Sequence, residues 1–440
     1  MELDRISSLP NDVTEKILSR LPLREAVRTR VLSSKWRYKS AILQDLKFNE
    51  YVWRRSQNRY DDQIQTTFVN MVDHALLLHI GPIRKFELFA DEVSTRDLDR
   101  WLTHLSRNSI KELVLCLWVD EYHIPLCVFS CQDLVLLDLT KYFLMDSNLT
   151  EVWLKPPSTF KGFRSLKSLQ LVGITVAQNV FENLICCSPL LERLILLHCD
   201  SVTTVNIDAP NLKFLNILGI FDVVNLKSTL NLTDASIGVT IYTDGHNQRL
   251  VPDSWFPSSS SNLHKIFDHL PYIRKLAIKL HCLKYLSLGA LPEKLPKSCE
   301  YLNVLSIEIC FDDPDAILTA LCILRSSPAL QELEILMDGR KKLTRRPWVV
   351  EEQKCSCLDV SYNCTLSQLR LVKITDVSGV KAELDFIRFL LLSSPLLERM
   401  TITPPQFPKS ASVDGFPKLV KELLQFKRES KHAEIILLDP

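Results

Sequence analysis

Glycine is scarce in this chain, 10 residues in 440, and none sits in a G-x-G-x-x-G or G-x-x-x-x-G-K-[ST] loop. The close-approach turns with which nucleotide-binding folds cradle phosphate are therefore missing. Long apolar runs are missing too. No stretch approaches the roughly 20 apolar residues of a membrane span, and the opening MELDRISSLP carries acid and no signal-peptide core. A soluble, intracellular protein of the nucleus or cytoplasm is the expectation. Charge of one sign is lacking: 53 Lys and Arg stand against 52 Asp and Glu, net +1. That balance gives no electrostatic case for nucleic acid or a membrane as partner. G-x-S-x-G, H-E-x-x-H and C-x-x-C are also absent. His74, His79, His264 and His269 fall in helical segments, as faces or core edges rather than ligands. Asp312, Asp313 and Asp315 precede the apolar run AILTAL, where carboxylates favour a helix N-terminus. No catalytic residues, metal ligands or cofactor site are expected, so the chain is read as a non-enzyme.

Cysteine is not scarce. There are 13, an odd number, lying mostly in apolar periodic segments, as Cys186, Cys187, Cys310 and Cys322 do. Reduced, buried thiols of an intracellular protein account for them. The close pairs, Cys127 with Cys131 and Cys355 with Cys357, lack zinc-site spacing and histidine companions.

The stretch Leu9 to Arg37 is the most informative. Asp12 with Glu15 has capping-box spacing, and Val13, Ile17, Leu18 and Leu21 follow at helical spacing. Pro22 ends that helix. A second runs from Leu23 to about Thr29, and a third from Ser33 through Trp36 to Ala41. Three short helices within about 40 residues bury too little to stand alone, so their apolar surface needs a cover: the rest of this chain, or a partner. The residues LPxxVxxxILSxLPxxxAVxTxVLSxxWR resemble the F-box of plant F-box proteins. Leu9, Pro10, Ile17, Leu18, Leu21, Pro22, Ala26, Val27, Val31, Leu32, Ser33, Trp36 and Arg37 fill its signature positions. Thr14, where an aliphatic residue is usual, and Arg30, where a small one is common, depart from it. The resemblance implies docking on a Skp-type adaptor and, through it, a cullin ubiquitin ligase. It assigns adaptor contact to Leu9, Pro10, Ile17, Leu18, Leu21, Pro22, Val27, Val31, Leu32 and Trp36.

After an expected linker at 47–62, with Tyr51 and Trp53 as packing anchors, one spacing takes over: L-x-x-L-x-L, with Ile, Val, Phe or Met allowed. It recurs from Ile83/Phe86/Leu88 to Leu397/Met400/Ile402, including Leu283/Leu286/Leu288 and Leu366/Leu369/Leu371. The last two positions alternate as a half-buried strand requires. Helical runs ending in Ser-Pro, such as VFENLICCSP, DAILTALCILRSSP and AELDFIRFLLLSSP, precede several of these strands. Helix, turn and strand in repetition describe an α/β leucine-rich-repeat solenoid. Triplet starts lie 27, 24, 32 and 25 residues apart from Ile83 to Leu191, then 11 and 10. The short steps leave no room for a helix, so tight loops are expected there.

PSSSSN at 257–262 reads as a flexible loop and 340–354 as a solvated charged loop. The ending KLVKELLQFKRESKHAEIILLD, with Trp348, Cys364 and the LRLVKI run, resembles the FBD module that follows leucine-rich repeats in plant F-box proteins. The resulting division is F-box 1–46, linker 47–62, solenoid 63–339, charged loop 340–354 and FBD module 355–440. The resemblance implies a substrate-recognition subunit of a ligase that holds an unidentified target protein on its repeats. Residues between the leucines face outward, and Ser168, Gln170, Arg193, Phe214, Asn216, Lys275, Glu332 and Glu334 are the candidates for target contact. The alternative is an interaction scaffold whose N-terminal helices merely cap the solenoid.

Overall fold

Alternating apolar residues become parallel strands, each joined to the next by a crossover. The computed structural model describes residues 9–18, 20–21, 39–54, 62–91, 93–119, 121–141, 151–199, 201–240, 242–243, 249–250, 266–287, 292–295, 297–337, 364–405 and 415–438. The 257–262 loop and the 340–354 segment lie outside them. The chain folds as two units, Met1–Thr203 and Thr204–Pro440.

In the first unit β1 (Asp45–Asn49), β2 (Lys85–Asp91), β3 (Glu112–Trp118), β5 (Leu136–Lys141), β7 (Ser168–Val172) and β9 (Arg193–Leu197) lie side by side, all parallel. A second parallel sheet takes β4 (Glu121–His123), β6 (Glu151–Leu154) and β8 (Ile174–Val176), which alternate with the main strands along the chain. Helices Asp62–Leu77, Thr95–Ser106 and Gln178–Cys186 supply the longer crossovers, and a 3-10 turn, Leu126–Ser130, a short one. The triplets explain the register: Phe86, Leu88, Leu113, Leu115, Leu137 and Leu139 are all buried.

Most of the main strands are also tied to the repeat before by a shared carbonyl. Arg84 O accepts the amides of Lys111 (2.8 Å) and Glu112 (2.9 Å). Lys111 O accepts those of Val135 (2.7 Å) and Leu136 (3.0 Å), and Lys167 O those of Glu192 (2.8 Å) and Arg193 (2.9 Å). One oxygen with two lone pairs thus holds the entry to the next strand.

Neighbouring helices are fastened by polar groups that would be costly to bury unpaired. The fully buried Trp101 donates its Nε1–H to Asp73 Oδ1 at 2.7 Å, and Arg100 reaches both Asp73 and Asp97 at 2.8 Å. Ser94 caps the Thr95–Ser106 helix by accepting the Asp97 amide at 3.2 Å.

Part of the expected linker is regular structure. Leu46 and Phe48 alternate inward, so Asp45–Asn49 adds a strand in register with β2, and the helix Glu50–Arg54 follows. Buried Glu50 accepts the Asp91 amide at 2.6 Å. The remainder, 55–61, lies outside the described residues.

The second unit opens with short loops, as the 11- and 10-residue steps required. Here β10 (Thr204–Asp208) pairs with β12 (Val223–Lys227), while β11 (Phe214–Gly219) pairs with β13 (Asp234–Val239). β14 (Tyr242–Thr243) and β15 (Arg249–Leu250) form a small antiparallel pair. From β13 the main sheet continues through β16 (Lys275–Leu280), β17 (Val304–Ile309), β18 (Glu332–Met337), β19 (Leu371–Thr375), β20 (Arg399–Thr403) and β21 (Glu434–Leu437). Helices Pro314–Arg325 and Lys381–Ser393 cross between strands with almost every apolar residue buried. Asp313 caps the first by accepting the Asp315 amide at 3.2 Å, the helix-start role read from the acidic cluster.

The Ser-Pro breakers work by a local mechanism. Ser188 donates to Leu184 O, Ser326 to Cys322 O and Ser327 to Ile323 O, each at 2.7 Å. These hydroxyls give carbonyls of the last helical turn a side-chain donor where the helix ends ahead of the proline.

Two triplets differ from expectation. Leu283 and Leu286 are buried in a short helix, Cys282–Ser287, not a strand. In the repeat at Leu369 the buried set is Leu369, Val372 and Ile374, which leaves Leu371 on the open face at 39% exposure. A triplet frame shifted by three residues in a leucine-rich run looks the same by spacing, and because three is odd the shift exchanges the strand's two faces.

Gly162 lies between β6 and β7 with φ +84°, and a Cβ there would stand 2.3 Å from Cys187 Cβ and 2.4 Å from its carbonyl oxygen. Gly162→Ala combines a left-handed backbone with a clash against main chain, and is expected to destabilise by about 1–3 kcal/mol. Urea denaturation checks this; an unchanged midpoint refutes it.

Candidate protein-interaction surfaces

The described part of the N-terminal segment is the helix Asn11–Leu18 and the turn after it. Pro10 O starts the helix by accepting the amides of Val13 and Thr14, both at 3.1 Å, and the Thr14 hydroxyl at 2.7 Å. Thr14, the departure from the aliphatic pattern, is thereby buried with its hydroxyl satisfied. At the other end Leu21 N reaches Leu18 O at 3.0 Å, which curls Leu21 back beside the last turn.

This geometry sorts the apolar residues into two sets. Leu18 is 1% exposed, so it belongs to the unit's own core and is not available to a partner, contrary to its sequence grouping. Val13, Ile17 and Leu21, spaced by four, are 40%, 41% and 38% exposed. They make an apolar stripe facing water, Val13 and Ile17 on the helix and Leu21 in the turn after it, an arrangement that calls for a cover. Leu9 is half-buried and Pro10 exposed beside it. Pro22, Val27, Val31, Leu32 and Trp36 lie outside the described residues.

The second surface is the open face of the main strands. In the first unit Ser168 and Arg193 share a row with Lys85, Glu112 and Leu136, while Gln170 stands in the next row with Glu87, Val114, Asp138 and Ile195. In the second unit Phe214 and Lys275 share a row with Asp234, Val304 and Glu332; Asn216 and Glu334 share the next with Ser236, Ala277 and Ser306. Every one of the eight sequence candidates is thus at an open-face position, half-buried or exposed. Sequence reading passed over β2, β3 and β5, where Glu87, Phe89, Trp118, Asp138 and Thr140 take the same kind of position. The alternation rule that placed Gln170 would have found them.

Charges on the first unit's face are partly self-paired. Lys85 lies 3.0 Å from Glu112 and 3.7 Å from Glu87, and Lys47 is 3.4 Å from Glu87. Burial works against the Lys85 charge, yet Glu112, Glu87 and Asp45 hold its pKa above the ordinary value. Asp138 differs. Burial pushes its carboxyl above the usual carboxylate range, opposed only by hydrogen bonds from Thr140 and Gln170. His79 is half-buried beyond the end of its helix, its pKa lowered by burial. His264 lies outside the described residues.

Comparison with known proteins matches these regions. The family described as F-box domain matches residues 6–45, and the family described as At1g61320/AtMIF1, LRR domain, matches 79–418. An Arabidopsis thaliana F-box/FBD/LRR-repeat protein is 39% identical over 99% of this chain and 98% of its own length. A probable FBD-associated F-box protein of the same plant is 24% identical over 98% of this chain and 99% of its own. An F-box/LRR-repeat protein from it is 30% identical over 55% of this chain and 51% of its own.

Among the described thiols Cys116, Cys131, Cys199, Cys282, Cys299, Cys322 and Cys364 are buried, Cys127, Cys187 and Cys310 are half-buried, and Cys186, expected to be buried, is exposed. Burial pushes Cys116 and Cys299 up to about 12, and Cys131 and Cys322 up to about 11. A thiol held protonated is a poor nucleophile and a poor metal ligand. The linkage has a definite sign. In the unfolded chain these groups ionise near about 8.5, so the folded state is favoured fully below that pH and progressively less up to 11–12. Under reducing conditions the urea midpoint is expected to fall between about pH 8.5 and 11, and to fall less steeply in a Cys116→Ala/Cys299→Ala variant. Equal slopes would refute the assignment.

Proposed function

This chain belongs to the family of plant F-box and leucine-rich-repeat proteins, and from that premise we propose that it is the substrate-recognition subunit of an SCF-type cullin ubiquitin ligase. The observation that carries the reading is the exposed stripe Val13, Ile17 and Leu21, on a helix inside the matched F-box range, 6–45. The stripe is the face an adaptor groove accepts, a short helix presenting Val13 and Ile17 one turn apart with Leu21 folded beside them by the turn that follows. Leu9, Pro10, Pro22, Val27, Val31, Leu32 and Trp36 extend the contact in this reading, and Leu18 supports it from the core side.

The repeats then hold a target protein, through open-face positions such as Gln170, Lys275 and Glu334, at a fixed distance from a ubiquitin-charged enzyme. The chain's contribution to the reaction is proximity and not acid or base chemistry. In this reading residues 63–339 form the solenoid proper and 355–440 an FBD module that continues the repeats. Reduced buried thiols fit a protein of the nucleus or cytoplasm. No helix among the described residues is long and apolar enough to cross a membrane.

Co-purification of the full chain with a Skp-type adaptor tests the reading. Wild type should form a stoichiometric complex, and Ile17→Asp/Leu21→Asp should weaken it at least tenfold, about 1.4 kcal/mol or more, with the urea midpoint unchanged. Leu18→Ala should do the opposite, lowering stability by about 2–5 kcal/mol as a cavity in the core. If wild type and variant are equally indifferent to the adaptor, the N-terminal helices are a cap and the interaction-scaffold reading takes over.

A further inference from the structure

Among the described residues of the first unit's open face, Asp138 is a partly buried carboxylate with no cation ion-paired to it. Asp138 is at the middle of β5, flanked across the sheet by Val114 of β3 and Gln170 of β7. Its Oδ1 accepts the Thr140 hydroxyl at 2.9 Å, and Gln170 Nε2 donates to the same hydroxyl oxygen at 3.4 Å. Among the described residues no lysine or arginine is ion-paired with it. The cations of the strands to one side are already engaged, Lys47 by Glu87 and Lys85 by Glu112, and Arg193 stands at the β9 edge in another row.

The row immediately above is mostly apolar. Phe89, Cys116, Thr140, Val172 and Leu197 are mutually in register, and Trp118 follows two residues after Cys116. Phe89, Thr140, Val172 and Leu197 are half-buried on the open face of the sheet, while Cys116 between them is buried. The opposite face of the same strands is filled by the leucine triplets.

We propose that this patch reads one lysine or arginine side chain of a target segment, the cation meeting Asp138 while apolar neighbours in the segment lie along Phe89, Val172 and Leu197. The argument is charge complementarity. A carboxylate half removed from water and raised by that burial is stabilised in its ionised form by an incoming cation. A pairing that removes an existing penalty discriminates more sharply than a pairing between fully hydrated charges. Thr140 and Gln170 hold the acceptor in place beforehand, and the apolar row excludes water around it. The inference deepens the target-binding part of the proposed function and rests on it; it does not depend on the adaptor contact.

The test is a phage-displayed library of random dodecapeptides panned on the full chain, with adaptor co-purification scored on the same preparations. Enriched peptides are expected to carry lysine or arginine between apolar residues. A synthesised winner should lose at least tenfold affinity when its cation is replaced by glutamine, and equally on the Asp138→Asn chain. Asp138→Glu should retain the preference. Asp138→Asn removes a buried charge, so it is expected to melt at or above wild type; should it unfold, the glutamine-substituted peptide on the wild-type chain decides alone. Enrichment without a cation, equal binding to Asp138→Asn, or no enrichment overturns the proposal. Adaptor binding with no cation preference sinks this inference and leaves the ligase reading. A cation preference without adaptor binding does the reverse.

Discussion

A single carbonyl oxygen ahead of most of the main strands, accepting two successive amides from the next repeat, is the constraint on which the rest of the fold depends. Arg274 O holds Asn303 at 2.9 Å and Val304 at 3.1 Å, Gln331 O holds Arg370 and Leu371, and Arg370 O holds Glu398 and Arg399. Because the clasp fixes where each strand begins, the length of chain between strands hardly matters. A helix of two or three turns, a 3-10 turn and a tight loop all return to the same starting point. The uneven spacing of the triplets is the sequence trace of that tolerance, and it agrees with the slow growth of loop-closure entropy with length.

Once the entry point is fixed, period two does the remainder. One set of side chains is driven inward, and the alternate set is left for other uses without cost to the core. This separation explains how the chain carries no catalytic motif and still presents dense chemical variety. The open positions hold Phe214, Asn216, Lys275, Glu334 and Asp138 on the same scaffold of buried leucines. On the target-binding reading proposed above, variation there alters recognition before it alters whether the protein folds.

Much of this was legible in the sequence, and the failures have physical causes. The triplets located most strands because burial on one face imposes a strict period, and the Ser-Pro endings located the long helices because proline removes an amide. The run LKYLSLG satisfied the triplet spacing yet begins as a helix, since the three-residue step from Leu283 to Leu286 suits both. Leu371 was misplaced because leucines at 366, 369 and 371 offered two frames, and only Val372 with Ile374 selected the right one. The strand Asp45–Asn49 escaped notice because a charged, aromatic stretch hid the two inward residues, Leu46 and Phe48. For the candidate sites, spacing grouped Leu18 with Ile17 and Leu21. Helix periodicity gives an apolar arc without saying which edge of the arc faces the protein's own core.

That last distinction sets the size of the N-terminal contact. Val13, Ile17 and Leu21 are already about three-fifths buried, so covering what is left of each recovers about 1 kcal/mol, from roughly 1.5–3 kcal/mol for full burial of an aliphatic side chain. Three such residues give about 3 kcal/mol, while association itself costs roughly 4–15 kcal/mol in lost freedom and a micromolar complex needs about 8 kcal/mol net. The stripe alone cannot hold an adaptor. Docking of the strength a stable ligase subunit requires must therefore draw most of its free energy from outside Asn11–Leu21. An aromatic anchor such as Trp36, in the stretch that completes the F-box signature, is the residue type best able to supply it.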